Sequence, residues 1–176
     1  LENELNRQYL LDKEQSPAGD QREQSFNEWL KLTREKEEVE ILVGQARYPQ
    51  AISRGEAALR RNPDFLPLLN TLCIVYWMHG QDEKALALAQ RAADLYPKDA
   101  SALGNVAKIL LLSGNIKTAQ EYAQRLKDIY SSSYANAAEA IKIFAYLGAH
   151  TDLREVFEWL QKEFNLEPYG YSAGFL

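Results

Sequence analysis

Residues 66–97 read LPLLNTLCIVYWMHGQDEKALALAQRAADLYP: an apolar run with helical spacing, a break at His79-Gly80, an alanine-rich second run, and a stop at Tyr96-Pro97. The same chemistry returns 34 residues on, where Leu69 becomes Leu103, Leu72 Val106, Tyr76 Leu110, Gly80 Gly114, Ala85 Ala119 and Ala89 Ala123. An equal step back turns Ala85, Ala92 and Pro97 into Ala51, Ala58 and Pro63. One such helix pair cannot bury its apolar face alone, so a fixed period of this kind predicts stacked copies. The expected fold is all-α, a solenoid of antiparallel helix pairs.

Working outward, the periodicity extends over residues 32–167 as four units, 32–65, 66–99, 100–133 and 134–167. In the middle two a small residue ends the packing stripe of the first helix (Cys73, Ala107), glycine makes the turn (Gly80, Gly114), and alanine opens the stripe of the second helix (Ala85, Ala119). Small side chains are needed there because two helices approach to about 8 to 10 Å only where nothing bulky stands between them. With these positions filled in this way, the chain resembles the tetratricopeptide repeat family. The resemblance implies a right-handed superhelix whose first helices line a concave, peptide-binding groove.

The outer units depart from the pattern. Unit one has Glu35 and Glu38 where Leu69 and Leu72 stand, and Gly55 for Ala89; unit four has Ile141 for Cys73, Leu153 for Ala85 and Asn165 for Pro97. Terminal repeats have one neighbour and tolerate such drift.

Three segments follow: an arm at 1–19, the solenoid at 20–167, and an aromatic tail at 168–176. Leu5, Tyr9 and Leu10 give the arm only weak amphipathicity, and Ser16-Pro17-Ala18-Gly19 ends it; it is expected to fray or to dock on a neighbouring surface. Asp20 with Glu23 predicts a capped helix from Gln21, an extra N-terminal helical segment. Phe26, Trp29, Leu30, Leu32, Val39, Leu42 and Val43 keep helical spacing to about Ala46. The charge run Arg34-Glu35-Lys36-Glu37-Glu38 within it reads as a solvated face. Tyr48-Pro49 starts the next helix and Asn62-Pro63 stops it. Asp82, Asn115 and Thr151 are expected caps, Lys98-Asp99 opens the third unit, and Ser131-Ser132-Ser133 replaces the proline before the fourth. The tail, with Pro168, Gly170 and Gly174 interrupting any period, carries three aromatic residues expected to pack on the last helices or on a partner.

Net charge is -5 over the 176 residues, all of it in the first 40, which hold 11 acidic and 6 basic side chains against 14 of each thereafter. That balance argues against nucleic acid, since Arg54, Arg60 and Arg61 form no phosphate-tracking surface. No apolar run approaches the roughly 18 residues needed to span a bilayer. The single Cys73 excludes an intrachain disulfide and falls on a packing stripe. Leu1 is neither an initiator Met nor part of an apolar signal segment, so a mature or trimmed product is expected, soluble, in the cytoplasm or the periplasm, or anchored through a removed N-terminal segment.

Catalytic chemistry finds little support. His79 and His150 fall at interhelix turns a whole unit apart, and no Ser, His and acid share a defensible spacing, so neither an active site nor a metal or cofactor site is expected. A binding surface fares better. With Leu69, Leu72, Cys73 and Tyr76 packed, Asn70, Ile74 and Trp77 lie on the adjoining face of the same helix. Their equivalents are Lys36, Glu40 and Val43, then Gly104, Lys108 and Leu111, then Ala138, Lys142 and Ala145, flanked by Met78, Leu112 and Tyr146. The expected groove residues are Asn70, Ile74, Trp77, Lys108, Leu111, Lys142 and Tyr146, with an apolar ligand of some negative charge. Relatives that clamp acidic chaperone tails need Lys and Asn, then Asn, then Lys and Arg on successive groove helices. In one register this chain offers Lys36, Glu40, Thr71, Ser101 and Asn105; in the other, Asn70, Ile74, Asn105, Ala135 and Glu139, so the resemblance does not extend to that clamp. The expected function is a non-catalytic adaptor or scaffold that binds another protein. The alternatives are a small chaperone of the type III secretion kind, which the chain resembles in size, acidity and repeat count, and a structural homo-oligomer.

Overall fold

The computed structural model describes residues 26–165. The expected arm at 1–19, the cap and helix start at Asp20 to Glu23, and the tail at 168–176 lie outside the described residues. Within them the chain forms eight α-helices and no strand: α1 Phe26–Gly44, α2 Tyr48–Arg61, α3 Leu66–Met78, α4 Asp82–Leu95, α5 Ala100–Leu112, α6 Ile116–Lys127, α7 Tyr134–Leu147 and α8 His150–Glu163, with a short 3-10 turn at Tyr130–Ser132 before α7.

Consecutive helices pair, α1 with α2 through α7 with α8, and α2, α4 and α6 each also pack on the first helix of the next pair. The first helices α1, α3, α5 and α7 touch one another in that order, while the second helices make no comparable contact with each other. A stack whose two layers are so unequally close bends towards the closer one. The free face of the first helices is therefore the inner face.

Alanine makes the close crossings. Ala51 and Ala58 of α2, Ala85, Ala89 and Ala92 of α4, and Ala119 of α6 are fully buried. Gly55, which replaces alanine in α2, has no spare room: a Cβ there would lie 2.9 Å from Cδ1 of Leu72. The larger side chains that fill the core, Leu32, Leu69, Leu72, Leu103, Ile143 and Phe144 among them, come mainly from the first helices. Cys73 lies among them as expected, wholly buried.

One turn closes all four pairs. A backbone hydrogen bond reaches back five residues, from Arg47 to Leu42, Gln81 to Tyr76, Asn115 to Leu110 and Ala149 to Phe144, at 2.8 to 2.9 Å. This is the six-to-one bond of a helix ending in a left-handed residue. That residue is Gly80, Gly114 and Gly148 at φ 72°, 76° and 65°, but Ala46 at φ 56° in the first turn. Alanine has a Cβ that crowds the carbonyl in this conformation, at a cost of roughly 1 to 2 kcal/mol. Ala46→Gly is therefore expected to stabilise the protein by about 1 kcal/mol after glycine's extra unfolded-state entropy is subtracted, seen as a rise in melting temperature.

The remaining helix ends depart in part from the sequence pattern. Asp99 and Ser133 cap α5 and α7 through their side chains, accepting from the backbone N–H of Ala102 at 2.7 Å and of Asn136 at 3.1 Å. Asp82 and Thr151 are not caps: each lies inside its helix, where Asp82 faces the positive end of the backbone dipole, and the cap positions are Gln81 and Ala149. Asn115 holds the cap position of α6 without a side-chain bond.

The charge run of α1 is only partly a solvated face. Glu35 is buried, 7 % exposed, at the place of Leu69, and pairs with Arg61 of α2. Glu38, at the place of Leu72, pairs with Arg54 of α2, while Lys36 and Glu40 pair along the helix at 2.9 Å. Ion pairs across α1 and α2 thus replace the leucine stripe of the inner units. Two edge-to-face contacts, Tyr130 with Trp159 at 5.8 Å and Trp159 with Phe164 at 6.1 Å, close the other end of the stack. No helix among the described residues is long and apolar enough to cross a membrane.

Candidate functional site

The rotation of α3 is fixed by its buried side, Leu69, Leu72, Cys73 and Tyr76. Asn70, Ile74 and Trp77 are consequently turned towards the inner face, with Asn70 and Ile74 half-buried and Trp77 and Met78 open to solvent, 36 % and 43 % exposed. One pair further on, Lys108 and Leu111 of α5 are half-buried and Leu112 is 60 % exposed. On α7, Lys142 is exposed and Tyr146 is 69 % exposed. Met78, Leu112 and Tyr146 occupy the same place in successive pairs and are the open apolar edge of this face.

The polar residues are held by other residues of the same chain. The Asn70 side-chain amide donates to the Asp99 carboxylate at 3.3 Å, and its carbonyl oxygen accepts from the Asn105 amide at 3.3 Å. Asp99 is also the cap of α5, and Asn105 is buried, so this chain of amides and carboxylate ties α3 to the start and middle of α5. Lys108 and Lys142 meet on Glu139, with Nζ of Lys108 at 3.4 Å from one carboxylate oxygen and Nζ of Lys142 at 2.8 Å from the other. Glu139 is only 8 % exposed. Its seat exists because residue 104 is glycine: a Cβ there would fall 2.5 Å from the carboxylate.

Sequence reasoning placed Lys108 and Lys142 on one face but did not identify Glu139, Asn105 and Asp99 as their partners and those of Asn70. The signal for Glu139 was Gly104, a glycine inside a strongly helical stretch where Lys36, Asn70 and Ala138 hold the equivalent places. Asp99 was legible as the opening of the third unit, one period before Ser133, but not as the partner of Asn70, a contact that exists only in three dimensions.

On the packed side of α3, Cys73 and Tyr76 are held in their neutral forms. Burial pushes the Cys73 thiol from 9.0 up to about 12. The fold favours the protonated thiol, so this contribution to stability is complete below pH about 9 and is lost as pH rises towards 12. Burial, and then the Glu56 carboxylate that accepts from its hydroxyl, raise Tyr76 well above an ordinary tyrosine. Neither group offers a nucleophile at neutral pH. His79 and His150 are exposed at their turns, and among the described residues no three His, Cys, Asp or Glu are grouped to hold a metal ion.

Helix pairs of this length, turn and alanine pattern are what the comparison with known families finds: residues 42–100 match the tetratricopeptide repeat. Over those residues the chain is similar to the tetratricopeptide repeat family. No curated protein matches its sequence. Among solved structures, the type III secretion translocator chaperone SycD of Yersinia enterocolitica superposes with a TM-score of 0.62 at 14% identity, over 70% of this chain and 94% of that one. A tetratricopeptide repeat protein from Parabacteroides merdae superposes with a TM-score of 0.56 at 16% identity, over 94% of this chain and 60% of that one. At such identities the likeness is one of fold. Tetratricopeptide repeats are in general a protein-interaction fold, which agrees with an inner face whose exposed groups are mainly apolar.

Proposed function

We propose that this protein is a non-catalytic adaptor that holds a segment of another protein against the inner face of its first helices. The observation that supports this reading is the recurring exposed edge Met78, Leu112 and Tyr146 beside Trp77, four large side chains left in water on the inner face. Large exposed apolar groups gathered on one surface mark interaction sites in soluble domains. Trp77 and Tyr146 are the anchors, because an aromatic ring covers much area for little rotamer entropy and keeps a polar edge for the rim. Ile74 and Leu111 form the apolar bed behind them. Asn70, Lys108 and Lys142 border the bed while bonded within the chain.

A photo-crosslinking amino acid placed at Leu112 tests this. It should capture a protein partner in the source cell, and the same group at Ala87 should not. Ala87 is exposed half a turn around α4 from the buried Ala85 and Ala89, on the outer face. Equal capture at both positions would refute the inner-face reading. A second reading, a small secretion chaperone, is favoured by the superposition that covers 94% of SycD. Under it the captured protein would be a client that is insoluble without this chain.

A further inference from the structure

We infer that Glu139 is a built-in occupant of the anion position between Lys108 and Lys142, and that it makes this face select against acidic ligands. This rests on the inner-face reading only in placing the two lysines beside the ligand. Two ammonium groups from different helix pairs converge on one carboxylate, at 3.4 Å and 2.8 Å, each oxygen meeting one of them. Converging lysines are what a peptide carboxylate would seek. Here that place is taken by a carboxylate that is 8 % exposed, seated over Gly104, which has no side chain.

The competition is unequal. Glu139 is tethered within reach of both lysines and acts at the high effective concentration of an intramolecular partner, which a free carboxylate must overcome. A second carboxylate brought beside it would also meet a like charge at short range. The other lysine on this face, Lys36, is likewise paired, with Glu40 at 2.9 Å, and the Asn70 amide is held by Asp99 and Asn105. What remains unpaired is the apolar edge. The partner this surface fits is therefore an apolar segment without a run of acidic residues, and the net charge of the lysine pair with Glu139 is too small to attract one.

The test uses a fluorescein-labelled hexaglutamate peptide and anisotropy at low salt. Wild type is expected to bind it weakly, Glu139→Gln at least about tenfold more tightly, and the gain should fade as salt rises. Adding Lys108→Gln to Glu139→Gln should remove the gain. A second route keeps every charge: in Gly104→Ala the new methyl would stand 2.5 Å from the carboxylate and 2.7 Å from Cγ of Glu139, so the side chain must shift from Cγ outward, and a smaller tightening is expected. Hexaglutamate binding that is the same in wild type, Glu139→Gln and Gly104→Ala overturns the proposal, and so does a gain that survives Lys108→Gln. The inner-face reading fails separately, by capture at Ala87, so the two failures are distinguishable.

Discussion

Ala85→Glu and Ala119→Glu are each expected to abolish the cooperative folding transition or to lower its midpoint by well over ten degrees. Both methyl groups are completely buried at helix crossings, Ala85 where α4 meets α3 and Ala119 where α6 meets α5. Forcing extra atoms into such a place costs about 1 to 3 kcal/mol by overpacking alone. A carboxylate there also loses its water without a partner, or is held protonated, at a further cost of several kcal/mol. Domains of this size have only about 5 to 15 kcal/mol of stability in total, so the sum reaches a large fraction of it. In a repeat stack the damage spreads, because each pair is stabilised mainly by its neighbours. Ala87→Glu on the same helix is the control, since that side chain faces solvent and should shift stability by no more than about 0.5 kcal/mol. Circular dichroism melts of the three variants check this. Wild-type melting for both Ala85→Glu and Ala119→Glu would show that the repeat register is wrong.

That register was legible because it rests on sterics that repeat. The alanines and the left-handed glycines recur every 34 residues, and each has a backbone reason that leaves few substitutes. The first turn shows where such reading ends: Ala46 adopts the glycine conformation with nothing in its identity to announce it. The first pair shows a second limit. Glu35 looked like a solvated charge because periodicity records polarity, whereas its burial depends on Arg61 arriving from 26 residues away. The inner face was legible as a face, since helix rotation follows from the packed stripe. Its electrostatics were legible only in part: Lys142 pairs with Glu139 three residues earlier on α7, but Lys108 reaches the same carboxylate from α5, a contact that no spacing within one helix encodes.

Trp77→Ala is expected to weaken binding to the partner captured at Leu112 by about 2 kcal/mol, roughly thirtyfold in Kd. The residue is 36 % exposed, more than a core indole at the end of a helix in a stack would be. A core indole truncated to alanine costs about 3 to 5 kcal/mol of stability. Trp77 is partly in water already, so its removal should cost stability only about 1 to 2 kcal/mol, and the melting transition should remain cooperative. The larger loss then falls on binding, where the ring must cover a partner and exclude water. Leu112→Glu extends the test along the same edge. That side chain is 60 % exposed, so a charge is tolerated by the free protein but meets the apolar face of the ligand, and the double variant should lose more affinity than Trp77→Ala alone. Titration of wild type and both variants against the captured partner, alongside their melts, separates the roles. Unchanged affinity in the double variant, with folding intact, would move the binding surface to the outer helices or beyond the described residues.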